Sequence, residues 1–432
     1  RPMIPRSISN RLLAAAVAAS VTAAIVGCAV NPVTGKKELS LMSQSQEVAL
    51  GQQQYPQAKQ TQGGEYLIDP SLQSYVSRVG QKLARVSDQP NLPYEFVVLN
   101  NSVPNAWALP GGKIAVNRGL LVLLEDEAEL AAVLGHEIVH AAARHSAAAM
   151  SQQQILGAGI AILGATTKDT AYGDLISLGS QFGGSAYIAK YGRDNELESD
   201  QYGMKYMAAA GYDPYGAVRL QKKFVELSKG KQAGGLEALF ASHPPSQSRV
   251  DANIEHAKQL PNGSANRSQY QQAIAQLKKD ADAYKSYDDA VAAVKKKDYD
   301  RVLMLTRQAQ RQQPKEAAFY ALEGDLLAQK KQYQSALQSY ETAVQKNPTL
   351  FSNWLMRGML NAQLKNYTAA ERDLQRSTSY LDTPHAHYYL GQVYEQQGNT
   401  KNAVNHYQIA ARDSGDIGSK AQARVQALGS QG

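Results

Sequence analysis

Two histidines four residues apart with a glutamate between them, His136-Glu137-Ile138-Val139-His140, are the residues of this 432-residue chain best suited to chemistry. On an α-helix, positions i and i+4 differ by about 40° around the axis, so both imidazoles point the same way and can share one zinc ion. Glu137 is turned about 100° from His136, beside such an ion rather than on it, where its carboxylate can take a proton from an attacking water. A hydrolytic zinc site needs a third protein ligand and an open fourth position. His145 lies about 140° around the helix from His140 and is expected to face elsewhere. The better source is residues 195–200 (NELESD), where two glutamates compete. Glu196 has Asp200 one turn later on its own face, placed to accept the outer N–H of a ligand histidine. Glu198 is turned about 160° from Glu196 and has Tyr202 four residues on, so it reads as a surface residue. The spacing therefore favours His136, His140 and Glu196 around one zinc ion, with Glu137 as the base and Asp200 as a support.

These groups need regular elements to hold them. Residues 126–150 (DEAELAAVLGHEIVHAAARHSAAAM) are rich in Ala and Leu, open with acids and contain only Gly135 as a breaker, which predicts a buried helix. A second helical pattern starts at NELESD and stops at Gly211-Tyr212-Asp213-Pro214. Strands are expected at residues 94–99 (YEFVVL) and 113–116 (KIAV). Residues 155–190, apolar and Gly-rich, read as two helices with a joint at Gly183-Gly184 that cover the cleft.

Farther along, the chain repeats itself. Gly324 and Gly358 are 34 apart and Gly391 follows at 33, while Tyr299, Tyr333 and Tyr367 and the pair Pro314 and Pro348 keep a spacing of 34. This period, with Ala336, Ala370 and Ala403 in register, resembles the tetratricopeptide repeat, a binding solenoid without chemistry of its own. About four repeats fit between 283 and 415, with a capping helix near 420–428; Tyr320, Tyr340, Trp354 and Tyr407 are expected to fill the gaps.

At the other end, residues 1–27 carry three arginines, no acid and an apolar run, an export signal by pattern. The signal ends at Ile25-Val26-Gly27-Cys28, which resembles a lipobox with Cys28 as the lipid attachment. The net charge of +7 falls to +4 without those arginines, which gives no case for nucleic-acid binding. Cys28 is the single cysteine, which excludes internal disulfides, Cys-rich zinc sites and CxxC redox chemistry. The expected division is 1–27 signal, 28–65 lipidated tether and first helix, 66–258 metallopeptidase domain, 259–282 linker and 283–432 repeat domain.

H-E-x-x-H followed by E-x-x-x-D resembles the family-forty-eight metallopeptidases, the HtpX and CAAX prenyl protease type. Asn105-Ala106-Trp107-Ala108-Leu109-Pro110-Gly111-Gly112 is similar to the family's N-A-[FW]-x-x-P-G-G segment. Ser242-His243-Pro244-Pro245 with Arg249 is similar to its H-P-x(4)-R block, and Gly119-Leu120-Leu121 precedes the metal helix as in the family. The resemblance spans about residues 35–258. It implies a mainly α fold: an α+β zincin-type domain with a small sheet, followed by the α-solenoid.

The resemblance also implies roles, each with a plainer rival. Asn105, Trp107, Ala108 and Leu109 would form an edge strand that pairs with substrate, or simply a hairpin. His243 would be a fourth, autoinhibitory ligand, or a loop histidine. Arg249 would stabilise the oxyanion or fix His243, or serve as an ion-pair partner. Tyr187 and Tyr191 are weaker oxyanion donors. The implied activity is zinc-dependent endopeptidase action on misfolded or stalled envelope proteins, in the periplasm and tethered by lipid to the outer membrane. The repeats would bind substrate or the outer-membrane β-barrel assembly machinery. The alternative is a chaperone for outer-membrane β-barrels in which proteolysis is secondary or autoinhibited.

Overall fold

The computed structural model describes residues 28–149, 191–229 and 235–429. The signal at 1–27, the Cys28 side chain, the cleft-covering stretch 155–190 with its Gly183-Gly184 joint, and Tyr187 lie outside the described residues. Residues 28–65 are not a free tether. They form a hairpin of β1 (Cys28–Val30) and β2 (Lys37–Leu39), then helix α1 (Gln44–Thr61). Ser43 and Gln46 close a capping box at the start of α1, Ser43 N donating to Gln46 Oε1 at 2.8 Å. Tyr55 and Ala58 of α1 are buried in one cluster with Trp107, and these anchors are too sparse to stand out in a Gln-rich segment.

Helix α2 (Pro70–Ala84) begins with an Asp69 cap and Pro70 in its first turn, and buries Leu72, Val76, Val79 and Leu83. A three-stranded sheet follows: β3 (Glu95–Leu99), β4 (Ala106–Leu109) and β5 (Lys113–Asn117), in the order β3-β5-β4. β5 is parallel to β3 and antiparallel to β4, which leaves β4 at an edge. The β4–β5 turn needs Gly111 and Gly112, both at positive φ (81° and 91°).

After the short α3 (Arg118–Leu121) comes α4 (Glu127–Ala142), every residue of which is buried. The Asp126 carboxylate caps it by accepting from Glu129 N at 2.9 Å. Around α4 stand α5 (Arg193–Ala209), α6 (Tyr215–Lys229), α7 (Glu237–Ser242) and α8 (Gln247–Lys258). α4 and α5 touch backbone to backbone where Gly135 meets Gly203. A Cβ added at Gly203 would lie 3.0 Å from Gly135 C and from His136 N. This crossing lies one residue before His136 and two helical turns beyond Glu196.

The segment read as a linker is folded onto the metallopeptidase domain. It contains α9 (Arg267–Ala273) and α10 (Ala275–Lys279), and buries Tyr270, Ile274 and Leu277 in the same core as α4. Ala128 N donates to Ala265 O at 3.1 Å, and Tyr270 OH to Leu121 O at 2.6 Å. Its Pro, Gly and Asn residues mark turns laid on that surface, not a free connection.

Four helix pairs then stack: α11 (Ala281–Lys295) with α12 (Tyr299–Gln312), α13 (Ala317–Gln329) with α14 (Tyr333–Lys346), α15 (Phe351–Gln363) with α16 (Tyr367–Tyr380), and α17 (Pro384–Gln396) with α18 (Thr400–Ala410). A last helix, α19 (Asp416–Gly429), closes the stack. The mainly α architecture with a small sheet and a repeat solenoid is thus as expected. Tyr340 and Tyr407 are fully buried, and their rings occupy the space a Cβ at Gly324 or Gly391 would need. Tyr320 and Trp354 do not fill gaps. They lie half-buried and donate to Pro314 O and Pro348 O at 3.2 and 2.8 Å, matching contacts one repeat apart. The solenoid docks on the metallopeptidase domain through Asn100 Nδ2 to Glu316 Oε1 (3.0 Å) and Gln60 Nε2 to Thr349 O (2.7 Å). Among the described residues no helix is long and apolar enough to cross a membrane.

Candidate metal centre

Helix α4 delivers His136, Glu137 and His140 on adjacent faces, α5 delivers Glu196 and Asp200, and the end of α7 delivers His243. One ligand atom each from His136, His140, Glu196 and His243 lie within 4.8 Å of one another, all buried. His136 Nε2 is 3.0 Å from His140 Nε2 and 3.2 Å from His243 Nδ1. Glu196 oxygens are 3.4 Å from His136 Nε2, 3.3 Å from His140 Nε2 and 3.1 Å from His243 Nδ1. Four donors each about 2.05 Å from a tetrahedral zinc ion would be separated by about 3.3 Å, so the observed spacings fit such an ion. The donor chemistry agrees, because three imidazole nitrogens and a carboxylate converge on one buried point.

The surrounding charges favour a cation. Burial alone would push the His136 imidazole down, but Glu196 and Asp200 reverse this and raise it to about 10. Burial holds His140 well below its ordinary value, in the uncharged form that ligates. Two glutamates are driven in opposite directions. Burial raises the Glu196 carboxyl, yet His243 and His136 outweigh it and hold the group well below the usual carboxylate range. Burial raises Glu137 above that range, the nearby His243 and His136 only moderating the effect. Glu137 Oε1 lies 3.4 Å from His243 Nε2, while Oε2 is buried with no hydrogen-bond partner among the described residues. Such an oxygen is suited to a reacting water.

Asp200 Oδ1 lies 2.9 Å from His136 Nδ1. Arg249 meets Asp200 through Nε and Nη2 at 2.7 and 2.8 Å, Glu196 through Nη1 at 2.8 Å, and Pro244 O at 3.0 Å. All three of its nitrogens are therefore engaged, and the guanidinium braces the acids and the His243 turn while lining the cleft. Tyr191 stacks on His140 with ring centroids 3.7 Å apart, and its OH is 2.9 Å from Ser146 Oγ.

Two residues depart from the sequence expectation. α4 stops at Ala142 because Arg144 adopts a left-handed conformation (φ 64°), and this turn brings His145 back against His140, their Nδ1 atoms 3.0 Å apart. Glu198 is no surface residue. It accepts from Asn31 Nδ2 at 2.8 Å and meets His145 Nε2 at 3.1 Å. Burial raises its carboxyl, but these hydrogen bonds outweigh that and hold it below its usual value.

The edge strand has two faces. Trp107 and Leu109 side chains pack with Tyr55, and Trp107 Nε1 donates to Gln62 Oε1 at 3.0 Å, away from the donors. Asn105 is buried, its carbonyl accepting from Asn117 N at 2.9 Å. The antiparallel alternation turns the backbone groups of Ala106 and Ala108 away from β5, where Ala106 N donates to Asn105 Oδ1 at 3.0 Å and Ala108 O accepts from Ser146 Oγ at 3.4 Å; Ala106 also lines the cleft beside His136 and Glu137. The Trp107 side chain thus lies on the face of β4 turned toward α1, not toward the cleft. The cleft holds about 50 Å³ of free space among the described residues, room for a few waters.

Residues 70–257 match the family model described as Peptidase family M48, and residues 287–350 and 355–417 match that of the tetratricopeptide repeat. The chain is 32% identical over 222 residues to the mitochondrial metalloendopeptidase OMA1 of Schizosaccharomyces pombe, covering 51% of this chain and 63% of that protein. It is 28% identical over 236 residues to the beta-barrel assembly-enhancing protease of Escherichia coli, covering 53% and 47%. With metalloprotease YcaL of the same organism it shares 31% over 179 residues, covering 40% and 68%. The chain thus spans about half to two thirds of the length of the curated relatives it matches.

Proposed function

The chain belongs to peptidase family M48, and from that premise we infer that it is a zinc-dependent endopeptidase of the bacterial cell envelope. The observation that carries this reading is the buried convergence of His136, His140 and Glu196 with Glu137 beside them. Those three residues would hold one zinc ion, which when bound supplies Lewis-acid polarisation of a peptide carbonyl and makes water acidic enough to react near neutral pH. The chain's own groups do the rest. Glu137, raised by burial and short of partners, takes the proton from the attacking water and passes it to the leaving amine. Asp200 holds His136 by its outer nitrogen, and Arg249 keeps Asp200 and Glu196 charged and in place. The carbonyl of Ala106 and the N–H of Ala108, on the outer edge of β4, pair with an extended substrate.

His243 occupies the fourth position at rest, and with the small cleft this favours an enzyme held idle until the α7–α8 turn moves. An idle resting state also suits an assembly factor that cuts only stalled clients. Its substrates are misfolded or stalled envelope proteins, and the repeats bind those clients or the outer-membrane β-barrel assembly machinery. A groove of about 410 Å³ between the repeats and the metallopeptidase domain, lined by Arg118, Tyr287, Asp288, Asp325 and Asn353, suits such binding. The protein is tethered by lipid at Cys28, on the periplasmic face of the outer membrane. Glu137→Gln tests the chemistry. It lowers hydrolysis of an unfolded protein by about 10²–10⁴-fold while zinc content stays at the parental level. Cutting at the parental rate would assign the base elsewhere.

A further inference from the structure

The outer nitrogen of His140 is held by a line of side chains that leads to the N-terminal hairpin. His140 Nδ1 lies 3.0 Å from His145 Nδ1, and His145 Nε2 lies 3.1 Å from Glu198 Oε1. That same oxygen accepts from Asn31 Nδ2 at 2.8 Å. Asn31 is fixed in turn by the hairpin: its Nδ2 also donates to Glu38 at 2.9 Å, and its Oδ1 accepts from Val33 N at 2.9 Å. Asn31, His140 and His145 are each at most 2% exposed. A second strut runs alongside. Arg144, in the turn before His145, donates to Glu47 Oε1 (2.8 Å), Met42 O (2.6 Å) and Ser40 Oγ (3.2 Å).

The line has one consistent direction of donation. The Glu198 carboxylate only accepts, so Nε2 of His145 carries its proton and Nδ1 is left as the acceptor. The His140 proton then belongs on Nδ1, which leaves the Nε2 lone pair facing His136 and Glu196. His136 reaches the same tautomer by donating from Nδ1 to Asp200. The two metal histidines are thus oriented by different devices, a direct carboxylate and a histidine–carboxylate relay.

We propose that His145 and Glu198, braced by Asn31, are positioning residues that fix His140 as an Nε2 ligand, so that the N-terminal hairpin directly after Cys28 is part of the metal centre's support. This rests on the zinc reading above, and the experiment separates the two. Zinc affinity of the full chain and its variants is measured by competition with a chromogenic chelator, and the visible absorption bands of the cobalt-substituted forms are recorded. His145→Leu removes the acceptor and weakens zinc binding by about 10- to 100-fold, with displaced cobalt bands. His145→Asn returns an oxygen to the place of Nδ1 and restores most of the affinity, a recovery that mere packing would not give. Asn31→Ala leaves the core helices untouched and weakens binding in the same direction by about two- to tenfold. Parental affinity and unchanged bands in His145→Leu overturn the proposal; should that variant not fold, the same result in Asn31→Ala does so. A parent that takes up no zinc overturns the metal reading itself.

Discussion

Glu137 and Glu196 share one buried pocket and are pushed apart in acidity, which sorts their tasks. Glu196, held ionised by the histidines, is fit to ligate, while Glu137, raised by burial, is fit to carry a proton during the reaction. His243 bears on both, with Nδ1 3.1 Å from Glu196 and Nε2 3.4 Å from Glu137. On the proposed function, removing it frees the position that water and substrate need. His243→Ala is expected to raise turnover of an unfolded protein by roughly tenfold, the effect of shifting a closed-to-open balance by about 1.4 kcal/mol. Steady-state cleavage measured beside zinc content checks this. Parental or lower turnover with zinc retained would leave His243 without a plugging role.

At the scale of elements, the metal ligands depend on how closely α4 and α5 approach. Gly135 and Gly203 have no side chains between them, and a Cβ at Gly203 already presses on His136 N. Gly203→Val is expected to cost about 1–3 kcal/mol of stability and to weaken metal binding, because it pushes Glu196 away from the histidines. Thermal unfolding and chelator competition read the two effects; parental values in both would mean the crossing has slack. The convergence of His136, His140 and Glu196 was legible in the sequence because each motif lies within an unbroken helix, where angular spacing carries over directly. His145 was not, since α4 ends at Ala142 and the turn uses Arg144, a residue type that rarely adopts positive φ and gives no breaker signal. Glu198 is hidden for the same reason, because its partner His145 follows that turn. The repeats show the same effect. Their period is visible in Gly, Ala and Tyr, but the left-handed position in the turn within each helix pair falls on Lys297, Lys331 and Lys365 and becomes glycine only at Gly398.

In the whole molecule, the metallopeptidase domain is completed by chain that follows it. Tyr270, Ile274 and Leu277 are buried in its core, each contributing about 1.5–3 kcal/mol, and Glu316 and Thr349 of the repeats bond Asn100 and Gln60. A chain ending at Lys258 is expected to melt well below one ending at Lys295 and to aggregate; equal melting temperatures would mean the docked segment adds nothing. Solenoid and metallopeptidase domain are therefore joined by direct hydrogen bonds as well as by the chain. The proposed function requires one zinc ion between α4 and α5. Elemental analysis of the purified chain and of Glu196→Ala measures it most directly. The prediction is about one zinc per chain in the parent and almost none in the variant. A parent without metal, or a Glu196→Ala protein that keeps a full equivalent, would contradict it.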